Sequence, residues 1–242
     1  MASDSAVQSS KYFRAYAERG WIERQWIRFS HWTVGLYCRF CCRLRIEGEE
    51  HIPAQGGVLL ASNHISMLDA LLIPYVVMRL KGMQIVWSPA KEELFRIPVL
   101  RQILLSWGSF PVRRGRNDLR TMRRIVSLMS TGKMMLFPEG TRSHDGQLQA
   151  GNRMVGRFIY RAQPVVVPAV VSGTNHTFPQ GAWLPRVGVP IRVRFGPPVD
   201  LKRYYDQPDS KQTSEAIIQD VMQSIAALQK RTASHPAADS NR

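Results

Sequence analysis

Short apolar runs rich in β-branched residues alternate with segments of helical periodicity from residue 45 onward, and this alternation constrains the fold more than any other feature. The apolar runs predict strands at 58–62, 84–87, 109–112, 134–137, 165–171 and 191–195. Helical patterns predict helices at 69–78, 99–106, 118–130, 153–161 and 214–232. Because a helix between two strands lets them pair in parallel, the sequence predicts an α/β fold with a mostly parallel, twisted sheet and helices on its faces.

The length of 242 residues is enough to bury one large core. Neither an internal repeat nor a low-complexity linker divides the chain, so we expect a single domain at 45–232. A polar leader at 1–20 and a helical segment at 21–44 precede this domain. The polar tail at 233–242 is expected to be disordered.

The segment 21–44 combines aromatic and basic residues at helical spacing. Its apolar members are Ile22, Trp26, Phe29, Leu36, Phe40 and Leu44, and the basic face holds Arg24, Arg28, His31, Arg39 and Arg43. This pattern predicts an amphipathic helix at a membrane interface, or two helices broken near Gly35. An ordinary helix docked on the core, with solvated arginines, fits the pattern equally well.

Neither a secretory signal nor a membrane-spanning helix is expected. The leader has no apolar stretch of the kind that a signal peptide needs. Arginines interrupt the segment 21–44, which is the longest apolar-looking stretch. We therefore expect a monotopic protein that is associated with a membrane rather than spanning it.

The formal net charge of +15 predicts attraction to nucleic acid, an anionic membrane or phosphorylated small molecules. The three cysteines, Cys38, Cys41 and Cys42, are clustered, which suits a reducing compartment better than a disulfide framework. Apart from His31 this cluster has no second ligand pair nearby, so no metal site is expected.

The segment NHISMLD at 63–69 lies where a predicted strand gives way to a helix, the position at which α/β sheets bind ligands. His64 and Asp69 would point about 140° apart on a continuous helix, so contact between them requires an irregular turn. In such a turn Asp69 can fix the imidazole tautomer, and His64 can take a proton from an alcohol. A structural histidine beside an aspartate that caps a helix is the alternative interpretation.

The segment FPEGTRS at 137–143 follows another predicted strand. Gly140 lets the backbone approach a ligand, and Arg142 offers a planar fork for phosphate. Glu139 can orient that guanidinium or accept from a hydroxyl. A polar turn that contains an internal ion pair is the alternative.

Further cations follow two other strands. Arg113, Arg114 and Arg116 come directly after one strand, and Lys91 follows another. These cations are either solvated surface or a group that converges on one anion.

Together these segments resemble the glycerolipid acyltransferase family. The matching blocks are NHISMLD at 63–69, GSFPVRR at 108–114, FPEGTRS at 137–143 and VVPAVVSGTNHTFP at 166–179. The resemblance covers residues 45–200 and is nearest to the 1-acyl-sn-glycerol-3-phosphate acyltransferases, also called lysophosphatidic acid acyltransferases, of bacteria and plastids. Two positions depart from the family pattern: Arg113 stands where Asp is frequent, and Ala169 where a bulkier apolar residue is usual.

The resemblance implies the following assignments. His64 is the general base and Asp69 its orienting partner. The glycerol phosphate of the acceptor is held by Lys91, Arg114, Glu139, Gly140, Thr141 and Arg142. The acyl donor is acyl-CoA or acyl-carrier protein, and neither a metal nor a cofactor is needed.

The expected reaction transfers a fatty acyl group from the thioester to the free hydroxyl of 1-acylglycerol-3-phosphate and gives phosphatidic acid, a step of phospholipid biosynthesis. Another lysolipid, such as lyso-ornithine lipid, is the alternative acceptor. The expected location is an anionic membrane surface at the cytoplasmic face of the inner membrane.

A serine hydrolase and a non-catalytic basic binding module are the two other classes of function that parts of the sequence would suit. Ser66 between His64 and Asp69 would suit a serine hydrolase, but the chain has no Gly-x-Ser-x-Gly turn. A basic module without catalysis that binds nucleic acid or membrane would explain the charge alone. Because the arginines are not interleaved with aromatic residues on one platform, no nucleic-acid partner is expected.

Overall fold

A computed structural model describes residues 13–112, 119–143, 145–179 and 184–233. Its seven strands are β1 (Cys42–Glu47), β2 (Val58–Ser62), β3 (Val86–Lys91), β4 (Ser109–Val112), β5 (Lys133–Leu136), β6 (Val165–Ser172) and β7 (Val189–Phe195). Its helices are α1 (Trp21–Phe40), α2 (Asp69–Leu80), α3 (Pro98–Ser106), α4 (Leu119–Thr131), α5 (Arg153–Ala162), α6 (Thr174–Thr177), α7 (Lys202–Tyr205) and α8 (Lys211–Ala233). Short 3-10 helices cover Tyr16–Glu18, Glu49–His51 and Glu92–Arg96.

All seven strands belong to one sheet, in the order β1-β7-β6-β2-β5-β3-β4. Every neighbouring pair is parallel except β6 and β7. Strands β7 and β1 therefore run opposite to the other five, so their amino ends lie at the edge where the other strands have their carboxyl ends. The predicted α/β fold with a mostly parallel sheet is confirmed.

The helices cover both faces of the sheet. Helices α4, α5 and α8 pack on one another and on the central strands, whereas α1 contacts α2 and α3 on the other side. This arrangement explains why β2 is buried along its whole length and reads as a continuous apolar run. The core therefore lies between two helical layers, and the loops at the strand ends remain available for function.

Helix α1 docks on the core by one face and exposes aromatic residues on the opposite one. Ile27, Ser30 and Cys38 are buried, and the half-buried Trp26 donates from its indole to Ser106 Oγ at 3.3 Å. The large apolar residues that α1 exposes, here called the α1 stripe, are Trp21, Ile22, Phe29, Trp32 and Phe40. The helix is thus docked on the core and leaves an aromatic face exposed.

The structure decides one alternative for residues 21–44 and corrects one bound. The helix is continuous through Gly35, where the absent side chain leaves room for the Tyr75 hydroxyl, which a Cβ would meet at 3.2 Å. It also ends at Phe40, and the next segment forms the unpredicted strand β1. Cys42 and Leu44 point inward while Arg43 is exposed, a strand-like alternation too short to recognise beside a long helix.

Histidine 31 was placed on the basic face of this helix, which the structure corrects. His31 turns toward the core, where its ring packs on Tyr75 and Nε2 lies 3.2 Å from the Tyr75 carbonyl oxygen. Burial lowers the pKa of His31. Within the described ranges, no helix combines the length and the apolar character needed to cross a bilayer.

Candidate active site

The candidate site lies where β2 and β5 end side by side. These strands pair in parallel, with Ala61 beside Leu136, so the loops that follow them leave the sheet at the same edge. The first loop carries His64 and the second carries Glu139, Gly140 and Arg142. The backbone N–H of Ser143 donates to the carbonyl oxygen of His64 at 2.8 Å and joins the two loops directly.

His64 and Asp69 are in contact. His64 Nδ1 lies 3.1 Å from Asp69 Oδ2 across the irregular turn between β2 and α2. Because an ionised carboxylate only accepts, this contact places the imidazole proton on Nδ1 and leaves a lone pair on Nε2. His64 Nε2 makes no hydrogen bond to a residue within the described ranges. The geometry therefore provides a base with one nitrogen held and the other open.

The ring of His64 is also fixed from its face. It stacks on Phe137, with centroids 3.8 Å apart and planes 8° from parallel. The side chain keeps 16% of its surface exposed, whereas that of Asp69 has none. The imidazole is thus immobilised on two sides and reachable on a third.

The Asp69 carboxylate is saturated with donors. Besides His64, Oδ2 accepts from the backbone N–H groups of Ile65 and Ser66, each at 2.7 Å. Its other oxygen, Oδ1, accepts from the hydroxyl of Thr174 at 2.6 Å. A fully buried charge requires such partners, and here they also fix the rotation of the carboxylate.

A buried amide secures the start of the same loop. Asn63 donates from Nδ2 to the Val171 carbonyl oxygen at 3.0 Å and accepts from the Val171 N–H at 2.8 Å. The side chain of Asn63 thus imitates one more pair of the β2–β6 ladder, beyond the last paired residue Ser62. This bond determines where the chain turns away from the sheet to place His64.

Glu139 was expected to orient or pair with Arg142, which the structure corrects. Its side chain is buried, Oε1 accepts from the His64 N–H at 3.2 Å, and Oε2 accepts from the Gln149 N–H at 3.1 Å. Burial raises the pKa of Glu139, and the two backbone hydrogen bonds partly oppose that shift. Each oxygen accepts from a fixed backbone donor, so the carboxylate tethers the two loops, and it makes no contact with the Arg142 guanidinium within the described ranges.

Arg142 remains available for a ligand. It is half-buried and has no hydrogen bond or ion pair among the residues that the structure describes. The alternative of an internal ion pair in this turn is therefore not what the described residues show. Beside it, Gly140 adopts a left-handed backbone with φ of 73°, which a side chain would strain, and Thr141 is exposed with a 3.4 Å contact to Gln149.

The remaining predicted cations divide into two groups. Lys91 is exposed at the carboxyl end of β3, on the edge where β2 and β5 end. Arg113, Arg114 and Arg116 lie outside the described residues. A cationic site can therefore be argued from Arg142 and Lys91, whereas the role of Arg114 stays a prediction.

Two competing chemistries find little support in these contacts. Ser66 is buried and donates to the Phe178 carbonyl oxygen at 3.2 Å, so its hydroxyl is not paired with His64 as a serine nucleophile requires. The described ranges contain no cluster of three His, Cys, Asp or Glu that would suit a metal ion. Burial raises the pKa of the Cys38 thiol to about 12.

Asn63, Thr174 and Gln149 also support the site, and none of them was predicted from the sequence. Thr174 stands directly after β6 and Gly173, at the edge where the other motif residues follow their strands. That position could have indicated from the sequence that Thr174 belongs to the site. The backbone N–H of Gln149, by contrast, contributes without any requirement on its side chain, so no residue pattern reveals it.

Comparison with known proteins places this site in a family. Residues 43–172 match the sequence model named Acyltransferase, and the chain therefore belongs to that family. The chain is 30% identical over 166 residues to a chloroplastic 1-acyl-sn-glycerol-3-phosphate acyltransferase of Arabidopsis thaliana, covering 64% of this chain and 44% of that protein. It is 29% identical over 161 residues to a 1-acyl-sn-glycerol-3-phosphate acyltransferase of Limnanthes douglasii, covering 65% and 54%.

The fold is also found in a solved structure. The crystal structure of the 1-acyl-sn-glycerophosphate acyltransferase PlsC of Thermotoga maritima superposes with a TM-score of 0.64 at 22% identity, over 86% of this chain and 79% of that one. That likeness shows a shared fold. The chain spans about half the length of the curated relatives it matches.

Proposed function

We propose that this protein is a 1-acylglycerol-3-phosphate O-acyltransferase. It moves a fatty acyl group from a thioester, acyl-CoA or acyl-carrier protein, to the free hydroxyl of the acceptor and gives phosphatidic acid. One observation carries the proposal. His64 has its Nδ1 bonded to Asp69 and its Nε2 open, and its loop is bonded to the loop of Arg142, a cation without a partner among the described residues. A base beside an anion site is what a phosphorylated alcohol requires.

In the proposed mechanism His64 is the general base. Its Nε2 takes the proton of the acceptor hydroxyl while the hydroxyl oxygen bonds to the thioester carbonyl carbon. Collapse of the tetrahedral intermediate breaks the carbon–sulfur bond and releases a thiolate. A thiol with a pKa of about 8.5 leaves readily, so no covalent enzyme intermediate is needed.

Asp69 is proposed to orient the base. The hydroxyl of Thr174 and two backbone N–H groups hold its carboxylate, so Oδ2 stays directed at His64 Nδ1. The same carboxylate stabilises the imidazolium that forms when Nε2 is protonated. Thr174 is therefore a positioning residue in this proposal.

The phosphate of the acceptor is proposed to bind Arg142, with Lys91, Arg114, Gly140 and Thr141 as further contacts. Arg142 immediately precedes Ser143, whose N–H bonds to the His64 carbonyl oxygen at 2.8 Å. A bidentate guanidinium contact to the phosphate, made from the loop that is bonded to the His64 loop, would hold the acceptor near the base. Glu139 supports this arrangement by holding the two loops together.

The membrane partner is proposed to be an anionic lipid surface, at the cytoplasmic face of the inner membrane, that the protein binds without spanning. The α1 stripe offers aromatic residues that face away from the core, and Arg28 and Arg39 are exposed on the same helix. Apolar insertion and attraction to anionic headgroups act together in such helices.

The test is an assay of the purified protein with a panel of lysolipid acceptors and both acyl carriers, followed by mass analysis of the products. We expect phosphatidic acid from lysophosphatidate, and none from the His64→Ala variant. Preferred acylation of another lysolipid would overturn the acceptor assignment. Unchanged turnover by His64→Ala would overturn the mechanism.

A further inference from the structure

The reversed strands bring two separate segments to the edge that carries His64. Strands β1 and β7 are parallel with Cys42 beside Val189, and β7 is antiparallel to β6. Their amino ends therefore lie beside the carboxyl end of β6. Helix α1 ends immediately before β1, and residues 184–188 immediately precede β7, so both reach this edge.

Backbone contacts connect these segments in a continuous series. The Gly188 N–H donates to the Cys41 carbonyl oxygen at 2.7 Å, directly after the end of α1. The Arg186 N–H donates to the Thr177 carbonyl oxygen at 2.6 Å. The next residue, Phe178, accepts from Ser66 in the His64 loop at 3.2 Å. Residues 184–188 thus lie between the end of α1 and the loop of the candidate base.

Apolar side chains are exposed along this series. Phe40 is 72% exposed, Val187 69%, Leu184 76% and Met67, in the His64 loop, 40%. Contact of these apolar side chains with water is unfavourable, and none of the four contributes to the buried core. We call this set the active-site rim.

The exposed charged residues beside Phe40 and Val187 in the chain are basic, namely Arg39, Arg43 and Arg186. The sequence has no acidic residue between 24 and 46 or between 173 and 199. Exposed apolar groups beside arginines fit the boundary of an anionic bilayer, where acyl chains and phosphates are presented together.

We propose that the active-site rim is a second membrane contact, continuous with the α1 stripe through Phe40, and that Leu184 and Val187 insert into the bilayer beside the opening to His64. This inference rests on the proposed function. It places the candidate base at the bilayer surface, so a lysolipid reaches Nε2 by rising partly out of the leaflet instead of crossing water. The active-site rim therefore affects how long-chain substrate reaches His64 and does not affect the acyl-transfer step itself.

The test uses the full chain with Leu184→Ser/Val187→Ser, the single variant Val187→Ser, and Val165→Ser as the matched control. Val165 is also an exposed valine, 40% accessible, but it begins β6 at the opposite edge of the sheet. Binding is measured by co-sedimentation with vesicles of phosphatidylcholine and phosphatidylglycerol. Acylation is measured with long-chain lysophosphatidate in vesicles and with a short-chain, water-soluble lysophosphatidate.

We expect the double variant to lose about tenfold or more in vesicle affinity and in turnover of vesicle substrate, because two side chains no longer insert. Turnover of the water-soluble substrate stays unchanged, which also shows that the fold is intact. Val187→Ser shows a smaller loss and Val165→Ser none. Undiminished vesicle binding by the double variant, or an equal loss in Val165→Ser, would overturn the membrane contact. Failure of the wild type to acylate either substrate would instead overturn the proposed function, and the vesicle measurement would still decide the rim.

Discussion

Thr174 donates the hydrogen of its hydroxyl to Oδ1 of Asp69 at 2.6 Å, although 105 residues separate them in the chain. Both side chains are completely buried. Since Oδ2 of the same carboxylate faces His64, the hydroxyl sets the plane in which Asp69 meets the imidazole. A residue that never touches the substrate is therefore expected to control the candidate base.

Replacing Thr174 by Val keeps the shape of the side chain and removes the donor. We expect kcat to fall about 10- to 100-fold, the equivalent of one lost charged hydrogen bond, with little change in KM. Thr174→Ser should restore most of the loss because it retains the hydroxyl. Steady-state kinetics at saturating acceptor measure both, and equal losses in the Val and Ser variants would mean that only packing matters at this position.

The general-base assignment predicts that His64→Ala abolishes turnover while the protein stays folded. The side chain is partly exposed, so its removal leaves at most a small void. Asp69→Asn should also lower turnover strongly, because an amide in place of Oδ2 can stabilise the wrong tautomer. Circular dichroism controls for folding, and near-normal activity of His64→Ala would exclude His64 as the base.

Arg142→Ala should act through the acceptor. A lost bidentate phosphate contact costs about 1.5 to 3 kcal/mol, so KM for lysophosphatidate should rise about 10- to 150-fold. Monoacylglycerol, which lacks the phosphate, should be affected much less. Arg161→Ala is the matched control, since Arg161 pairs with Asp209 at the carboxyl end of α5. If monoacylglycerol suffered the same loss, Arg142 would not be a phosphate ligand.

Glu139 predicts a pH dependence of stability. Burial raises its pKa, so between the ordinary value of about 4.5 and the raised value the native state binds more protons than the unfolded state. Its contribution is fully present below the ordinary pKa and is lost as pH rises through the raised one. The stability of the wild type minus that of Glu139→Gln should therefore decrease as pH increases.

Denaturant unfolding of both proteins from pH 4 to pH 7 measures that difference. Glu139→Gln should also lower turnover, because an amide cannot accept from both the His64 and the Gln149 N–H groups. A stability difference that grows with pH would instead mean that the two backbone hydrogen bonds outweigh the burial of the charge.

The two faces of α1 should respond differently to substitution. Phe29→Ser/Trp32→Ser should weaken binding to anionic vesicles without altering the free energy of unfolding, because both side chains are exposed. Ile27→Ala should cost about 2 to 4 kcal/mol of stability, since Ile27 is completely buried. Vesicle co-sedimentation and denaturant unfolding separate the two effects. Undiminished vesicle binding by the double variant would place the membrane surface elsewhere.

Much of the fold could be predicted because parallel strands buried on both faces read as apolar runs. The predicted bounds of 58–62 and 109–112 coincide with β2 and β4. Strand β1 was missed because it has one buried and one exposed face and begins two residues after a long helix. Strand β1 pairs in parallel with β7, and the paired residues Cys42 and Val189 are 147 positions apart in the chain. A local sequence pattern cannot indicate a pairing over that distance.

Prediction of the site was limited by the same distance effect. The motif spacing indicated that His64 and Asp69 could meet only in a turn, and the turn is present. Their catalytic roles stay predictions. Residue types suggested that Glu139 orients Arg142 or accepts from a hydroxyl, whereas in the structure its carboxylate accepts from two backbone N–H groups. Residue types do not show which backbone N–H groups will donate to a side chain.

Asn63 and Asp69 depend on partners that are synthesised 108 and 105 residues later. A nascent chain that ends before Val171 already contains His64, Glu139 and Arg142, yet it lacks the partners of the Asn63 amide and of Asp69 Oδ1. Strand β6 lies between β2 and β7 in the sheet and brings these partners to the His64 loop. Chains shortened before β6 therefore retain the first three sequence motifs but lack the two contacts that fix Asn63 and Asp69 Oδ1.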